Sequence, residues 1–163
     1  MQPNRSIQSS PTALLSQWQS VTPLPTARYG PTAVLGADGR IYILGGANSS
    51  GDLLDTVEAY DPRTQSWTVV TSMPTARFNL AAVLGPDGHI YTLGGANSSG
   101  DLLDTVEVYD PTTKSWTTGV SLPTPRSGLA AVLGPDRHIY ALGGFNNERD
   151  YFTTVEIGYG KDW

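Results

Sequence analysis

The chain repeats itself every 49 residues, and that period limits its possible folds more than any other feature. Tryptophans recur at Trp18, Trp67 and Trp116, and double glycines at Gly45-Gly46, Gly94-Gly95 and Gly143-Gly144. Val57-Glu58, Val106-Glu107 and Val155-Glu156 keep the same spacing, as do Arg28, Arg77 and Arg126. Aligning 18–66 with 67–115 gives 35 identities in 49 positions. A fixed period of this size marks an array whose units bury their apolar faces against one another.

Within a unit the pattern predicts four short strands. Leu80-Ala81-Ala82-Val83-Leu84 is apolar, and Pro86-Asp87-Gly88 follows it with proline preset for a turn and glycine free to take positive φ. His89 to Leu93 alternates and stops at Gly94-Gly95. A polar loop from Ala96 to Asp104 leads to Thr105–Tyr109, and Asp110 to Thr113 turns the chain into Ser115–Thr118. Strands are expected near 30–36, 40–45, 56–60 and 66–70 and at 49- and 98-residue offsets. No segment holds a 3.6-residue apolar period, so essentially no helix is expected. Four antiparallel strands at a period near 50 make the expected fold class all-β, a propeller of blades rather than a helical solenoid.

Composition removes several function classes. The net charge is −5 and the only lysines are Lys114 and Lys161, which argues against nucleic acid and anionic membrane as partners. Cysteine is absent, so disulfides, thiolate metal sites and cysteine nucleophiles are excluded. No run approaches the ~18 apolar residues of a membrane span. The stretch before Gln19 is polar apart from Ala13-Leu14-Leu15, too short for a signal-peptide core, and reads as a soluble chain of the cytoplasm rather than a secreted one.

Ile41-Tyr42-Ile43-Leu44-Gly45-Gly46, then Val57-Glu58-Ala59-Tyr60-Asp61-Pro62, then Trp67 resemble the kelch motif, and the second unit repeats it. The resemblance covers nearly all of 18–160. It implies kelch blades whose first strand lines a central channel and whose fourth strand is outermost. It also implies that the loop after the double glycine and the loop before the first strand share the ligand-binding face. The expected organisation is an N-terminal extension at 1–16, then units at 18–66, 67–115 and 116–163. The third unit departs from the pattern: its long loop carries Phe145, Tyr151 and Phe152, its third strand ends in Ile157-Gly158-Tyr159-Gly160, and Trp163 falls 47 rather than 49 residues after Trp116.

Arg28, Arg77 and Arg126 precede the innermost strands. In kelch adaptors of ubiquitin ligases, arginines at such positions grip carboxylates, a role that suits a planar bidentate guanidinium. The alternative is that they pair with the loop acids Asp52, Asp101 and Asp150. Tyr29, Phe78 and Ser127 vary between units as ligand-facing or channel-packing residues. Asn48, Asn97 and Asn146 either contact a ligand or bond their own loop backbone. His89 and His138 align with Arg40, which cannot ligate a metal, so no metal site, cofactor or catalytic residue is assigned. Glu58, Glu107 and Glu156 recur in every unit, as blade architecture would require.

The expected function is a non-catalytic, self-assembling kelch scaffold that binds a peptide, a protein or an acidic small ligand on the long-loop face. The alternative is a carbohydrate-active enzyme of sialate-mutarotase type using Arg, Asn and His. Chemistry of the galactose oxidase kind is closed because it needs a cysteine-crosslinked tyrosine. The near-identity of the units points to recent duplication or to deliberate engineering. Propellers close with 4–8 blades, so the expected assembly is a two-fold homodimer forming a six-bladed ring, the 17–21 strand completing the last blade of the partner chain.

Overall fold

The computed structural model describes residues 17–148 and 150–159. The elements are β1 (Thr32–Leu35), β2 (Ile41–Leu44), β3 (Val57–Asp61), β4 (Ser66–Val70), β5 (Ala81–Leu84), β6 (Ile90–Leu93), β7 (Val106–Asp110), β8 (Ser115–Thr118), β9 (Ala130–Leu133), β10 (Ile139–Leu142) and β11 (Val155–Gly158). No helix occurs among the described residues. Three antiparallel sheets form in strand order β1-β2-β3-β4, β5-β6-β7-β8 and β9-β10-β11. The third sheet has three strands among the described residues, in the unit whose fourth strand was expected from the 17–21 segment of a partner chain; Trp163 and the 1–16 extension lie outside the described residues.

The strands fall where alternation and turn chemistry place them. In the β1–β2 and β5–β6 hairpins, Asp38 and Asp87 accept bonds from the backbone N–H two residues on and from the hydroxyls of Tyr42 and Tyr91, both at 2.9 Å. Asp136 and Tyr140 repeat the pairing at 2.5 Å. Arg137 takes the left-handed conformation, φ 65°, that Gly39 and Gly88 hold in the other units. Side-chain burial pushes the Tyr42 and Tyr91 hydroxyls well above the usual tyrosine range, and the neighbouring carboxylates push them further.

The innermost strands β1, β5 and β9 lie side by side, so the sheets stack as successive blades of an arc. One face of each blade packs on the opposite face of the next. At the first junction Tyr42, Leu44, Val57 and Ala59 meet Leu80, Ile90 and Tyr109. At the second, Ala81, Val83, Leu93 and Val106 meet Leu129, Ile139 and Ala141. Leu44, Val57, Leu80 and Ile90 of the first set recur 49 residues on as Leu93, Val106, Leu129 and Ile139 of the second.

Backbone bonds repeat with the same offset. Met73 N–H donates to Asp55 at 2.8 Å, Gly46 to Arg77 at 2.9 Å and Asn79 to Gly30 at 2.9 Å; Leu122, Gly95 and Gly128 do the same to Asp104, Arg126 and Asn79. The double glycine exists for this contact. A Cβ on Gly94, whose φ is +59°, would stand 2.5 Å from the Arg126 carbonyl, and one on Gly95 would stand 2.8 Å from that of Phe78.

Gly94→Ala combines backbone strain with a backbone clash, whereas Gly100→Ala at φ +85° meets nothing within 4 Å. Urea titration should show Gly94→Ala destabilising the chain by about 2 kcal/mol more than Gly100→Ala. Equal losses would contradict the account of the junction.

Candidate functional site

The long-loop face is built from three short backbone layers, one per blade. The loop before each first strand bridges the loop after each double glycine: Tyr29 with Ala47, Phe78 with Ala96, and Ser127 with Phe145. A second bridge joins those loops to Leu53, Leu102 and Tyr151. The two loops therefore share a face, as the family resemblance implied.

The three arginines are brought to equivalent places, but beneath this face rather than on it. Their side chains are 1%, 0% and 0% exposed. Arg28 pairs with Glu58 at 3.0 Å and Arg77 with Glu107 at 2.8 Å, and Arg126 pairs with Glu156. Each Nη1 also donates to a carbonyl of its own double glycine: Gly45 at 3.0 Å, Gly94 at 3.1 Å and Gly143 at 2.9 Å. Arg28 and Arg77 reach the carbonyls of Thr56 and Thr105 as well, both at 3.1 Å. Each guanidinium thus clamps the two stems of its long loop, one at the double glycine and one at the start of the third strand.

This geometry corrects two expectations. The arginines do not offer their forks to a carboxylate ligand, because internal acceptors hold them. Nor do they pair with Asp52, Asp101 or Asp150. Their partners are the repeating glutamates of the third strand, which alternation turns inward. Burial lowers the proton affinity of Arg28 and Arg77, and Glu58 and Glu107 pull it back up.

The loop acids have a different partner. Asn48 Oδ1 accepts from the N–H groups of Ser50 and Asp52, both at 2.9 Å, while its Nδ2 donates to the Asp52 carboxylate at 3.0 Å. Asn97 with Asp101 and Asn146 with Asp150 repeat the arrangement. Asparagine here organises the loop.

Beside the polar loop tips at 49–52 and 98–101, the face exposes two tyrosines. Tyr29 is 57% and Tyr151 83% exposed. Tyr29 meets Phe78 edge-on with centroids 6.4 Å apart, and Phe145 meets Tyr151 in the same way at 6.4 Å. The third blade exchanges its pair: where the others set an aromatic residue against alanine, it sets Ser127 against Phe145. The ring moves to the opposite strand of the same bridge, and Ser127 is buried at 1% exposure. Sequence reasoning named Ser127 as a candidate but not Phe145 or Tyr151, which bridge and stack at the same place. The signal was available in the complementary change of size at two aligned positions.

The histidines lie at the other end of the blades. His89 Nδ1 is 2.6 Å from Asp87 and Nε2 is 3.7 Å from Asp110, in the hairpins opposite the long loops. Arginine, asparagine and histidine therefore do not converge on one site. Among the described residues, no group of three or more His, Cys, Asp or Glu is spaced to hold a metal ion. No helix there is long and apolar enough to cross a membrane.

Four-stranded antiparallel units stacked face to face, with their innermost strands adjacent, define a β-propeller type of protein. The sequence matches the KLHDC2/KLHL20/DRC7 Kelch-repeats domain over residues 10–157, and the chain belongs to this kelch-repeat family. No curated protein matches it.

Removing one partner of a buried ion pair leaves an uncompensated charge, at a cost of about 3–5 kcal/mol. Glu107→Ala should therefore lower unfolding free energy by roughly that amount, while Asp101→Ala, in an exposed loop, should cost under ~1 kcal/mol. Thermal and urea melts of the two variants check this. Comparable losses would contradict the assignment of Glu107 rather than Asp101 as the arginine's partner.

Proposed function

We propose that the chain is a non-catalytic interaction scaffold. Two copies close a six-bladed ring, and the long-loop face of that ring holds a peptide or a protein. The observation that carries the assembly is the chemistry of the two open ends of the arc. At the third-blade end, Val132, Leu142, Val155 and Ile157 are 51%, 36%, 52% and 41% exposed. They occupy the positions of Val83, Leu93, Val106 and Val108, which are packed into the second junction. At the first-blade end, Leu35 and Ile41 are exposed where Leu84 and Ile90 are packed into the first junction. The two ends are the halves of an interface the chain already uses twice.

A two-fold pair of arcs covers both ends at once, and removes more exposed apolar surface than a soluble monomer normally carries. On the loop face, Tyr29, Phe78, Phe145 and Tyr151 supply rigid, partly exposed rings of the kind that anchor protein partners. An acidic small ligand loses its physical basis, since the arginines are held internally. The mutarotase-like alternative loses its own as well, since its three residue types lie at opposite ends of the blades.

Light scattering at micromolar concentration should return roughly twice the 17.4 kDa of one chain. Peptides selected on the assembled protein should lose about 10-fold or more in affinity on Tyr29→Ala with Tyr151→Ala, at unchanged mass. A well-folded monomer would overturn the assembly. Peptide binding indifferent to both tyrosines would overturn the face.

A further inference from the structure

Among the described residues, the third blade lacks the outer strand that the other two blades carry. At the first junction, Tyr109 and Trp116 stack with centroids 5.1 Å apart, and Tyr109 lies 6.0 Å from Tyr42 of the preceding blade. In the third blade Gly158 stands where Tyr109 stands in the second, and no described residue occupies the position of Trp116. The result is a cleft of about 800 Å³ between the second and third blades, lined by Tyr91, Val106, Val108, Leu122, Ile157 and Gly158 among others. Beside it, β11 has no neighbour on its outer edge among the described residues.

The residue in register with Trp116 is Trp18, two periods upstream, and it is 95% exposed. Its segment carries, at Thr22, the anchor that follows the fourth strand β4 on the second blade. After β4, Thr71 docks on the next blade, its hydroxyl donating to the Lys114 carbonyl at 2.8 Å and its carbonyl accepting from Trp116 Nε1 at 2.9 Å. Thr22 docks on the first blade in the same way, donating to the Gln65 carbonyl at 2.7 Å and accepting from Trp67 Nε1 at 3.1 Å. Residues 17–21 therefore leave the first blade where β4 leaves the second. That anchor is at the opposite end of the arc from β11.

We infer that the cleft and the β11 edge together form a receptor for residues 17–21 of a second copy, whose Trp18 indole enters the cleft. This rests on the proposed ring and specifies how it is latched. The register follows from the second blade, where Tyr109 faces Trp116 and Val108 faces Thr117. Translated by the period, Trp18 faces the partner's Gly158 and Gln19 faces the partner's Ile157. The strand covers the open edge of the third sheet, which otherwise invites uncontrolled pairing. The indole takes the central anchoring role that tryptophan commonly has in interfaces.

The chain has no cysteine, so a pair can be introduced cleanly. Opposed residues on paired strands have the Cβ separation a disulfide needs. Gln19→Cys with Ile157→Cys should give a reducible covalent dimer under mild oxidation, and either single variant should not. Trp18→Ala should weaken self-association by at least about 30-fold while the monomer stays folded. A dimeric mass with no cross-link and no effect of Trp18→Ala would overturn the latch and leave the ring standing. A folded monomer at all concentrations would overturn both. A disulfide formed within one chain would overturn the latch, as would loss of the dimer on Trp163→Ala but not on Trp18→Ala. That last pattern would assign the cleft to the chain's own C-terminal tryptophan.

Discussion

Everything in this molecule depends on the packing of one small sheet against the next. A four-stranded blade with strands of four or five residues has too little depth to bury anything by itself. Its inner positions become a core only when the next blade covers them, as Tyr42, Leu44 and Val57 are covered by Leu80, Ile90 and Tyr109. The same requirement makes the array quasi-one-dimensional, each unit depending on its neighbours. It also explains why identical positions are buried in the middle of the arc and exposed at its ends.

The polar parts of the motif serve that packing. Stacked blades bring backbone close to backbone at the double glycine, and a guanidinium beneath each long loop ties the glycine carbonyl to the start of the third strand. A buried arginine demands a carboxylate, and the glutamate of Thr-Val-Glu provides it from an inward position of the third strand. The long loops are consequently held by their stems. Their tips, closed by Asn48 with Asp52 and by the equivalents of that pair, remain available to vary, as the aromatic third loop illustrates.

The strands, hairpins and period were legible in the sequence because they are local: alternation sets strands and Pro-Asp-Gly sets turns. The all-β, kelch-type reading followed from them, and the family match over residues 10–157 agrees with it. The site was less legible, because it turns on which way one side chain points. Arg77 lies just before a first strand, and its spacing is the same whether the fork faces the channel mouth or turns under the loop. Only the fold shows that Glu107, 30 residues further on, is close enough to hold it. The exchange of Ser127 with Phe145 was hidden for a similar reason, since two positions 18 residues apart must first be known to bridge.

Whether the two ends of the arc cover each other is read most directly from amide hydrogen exchange at the groups that bridge the internal junctions. Met73, Asn79 and Gly95 N–H groups are bonded across those junctions. Their counterparts at the open ends, Leu24, Gly30 and Gly144, have no such partner among the described residues of one chain. Closure by a second copy predicts that Leu24, Gly30 and Gly144 are protected like their internal counterparts at tens of micromolar, and lose that protection on dilution. Fast exchange of these three amides at every concentration, with Met73 and Gly95 still protected, would contradict it.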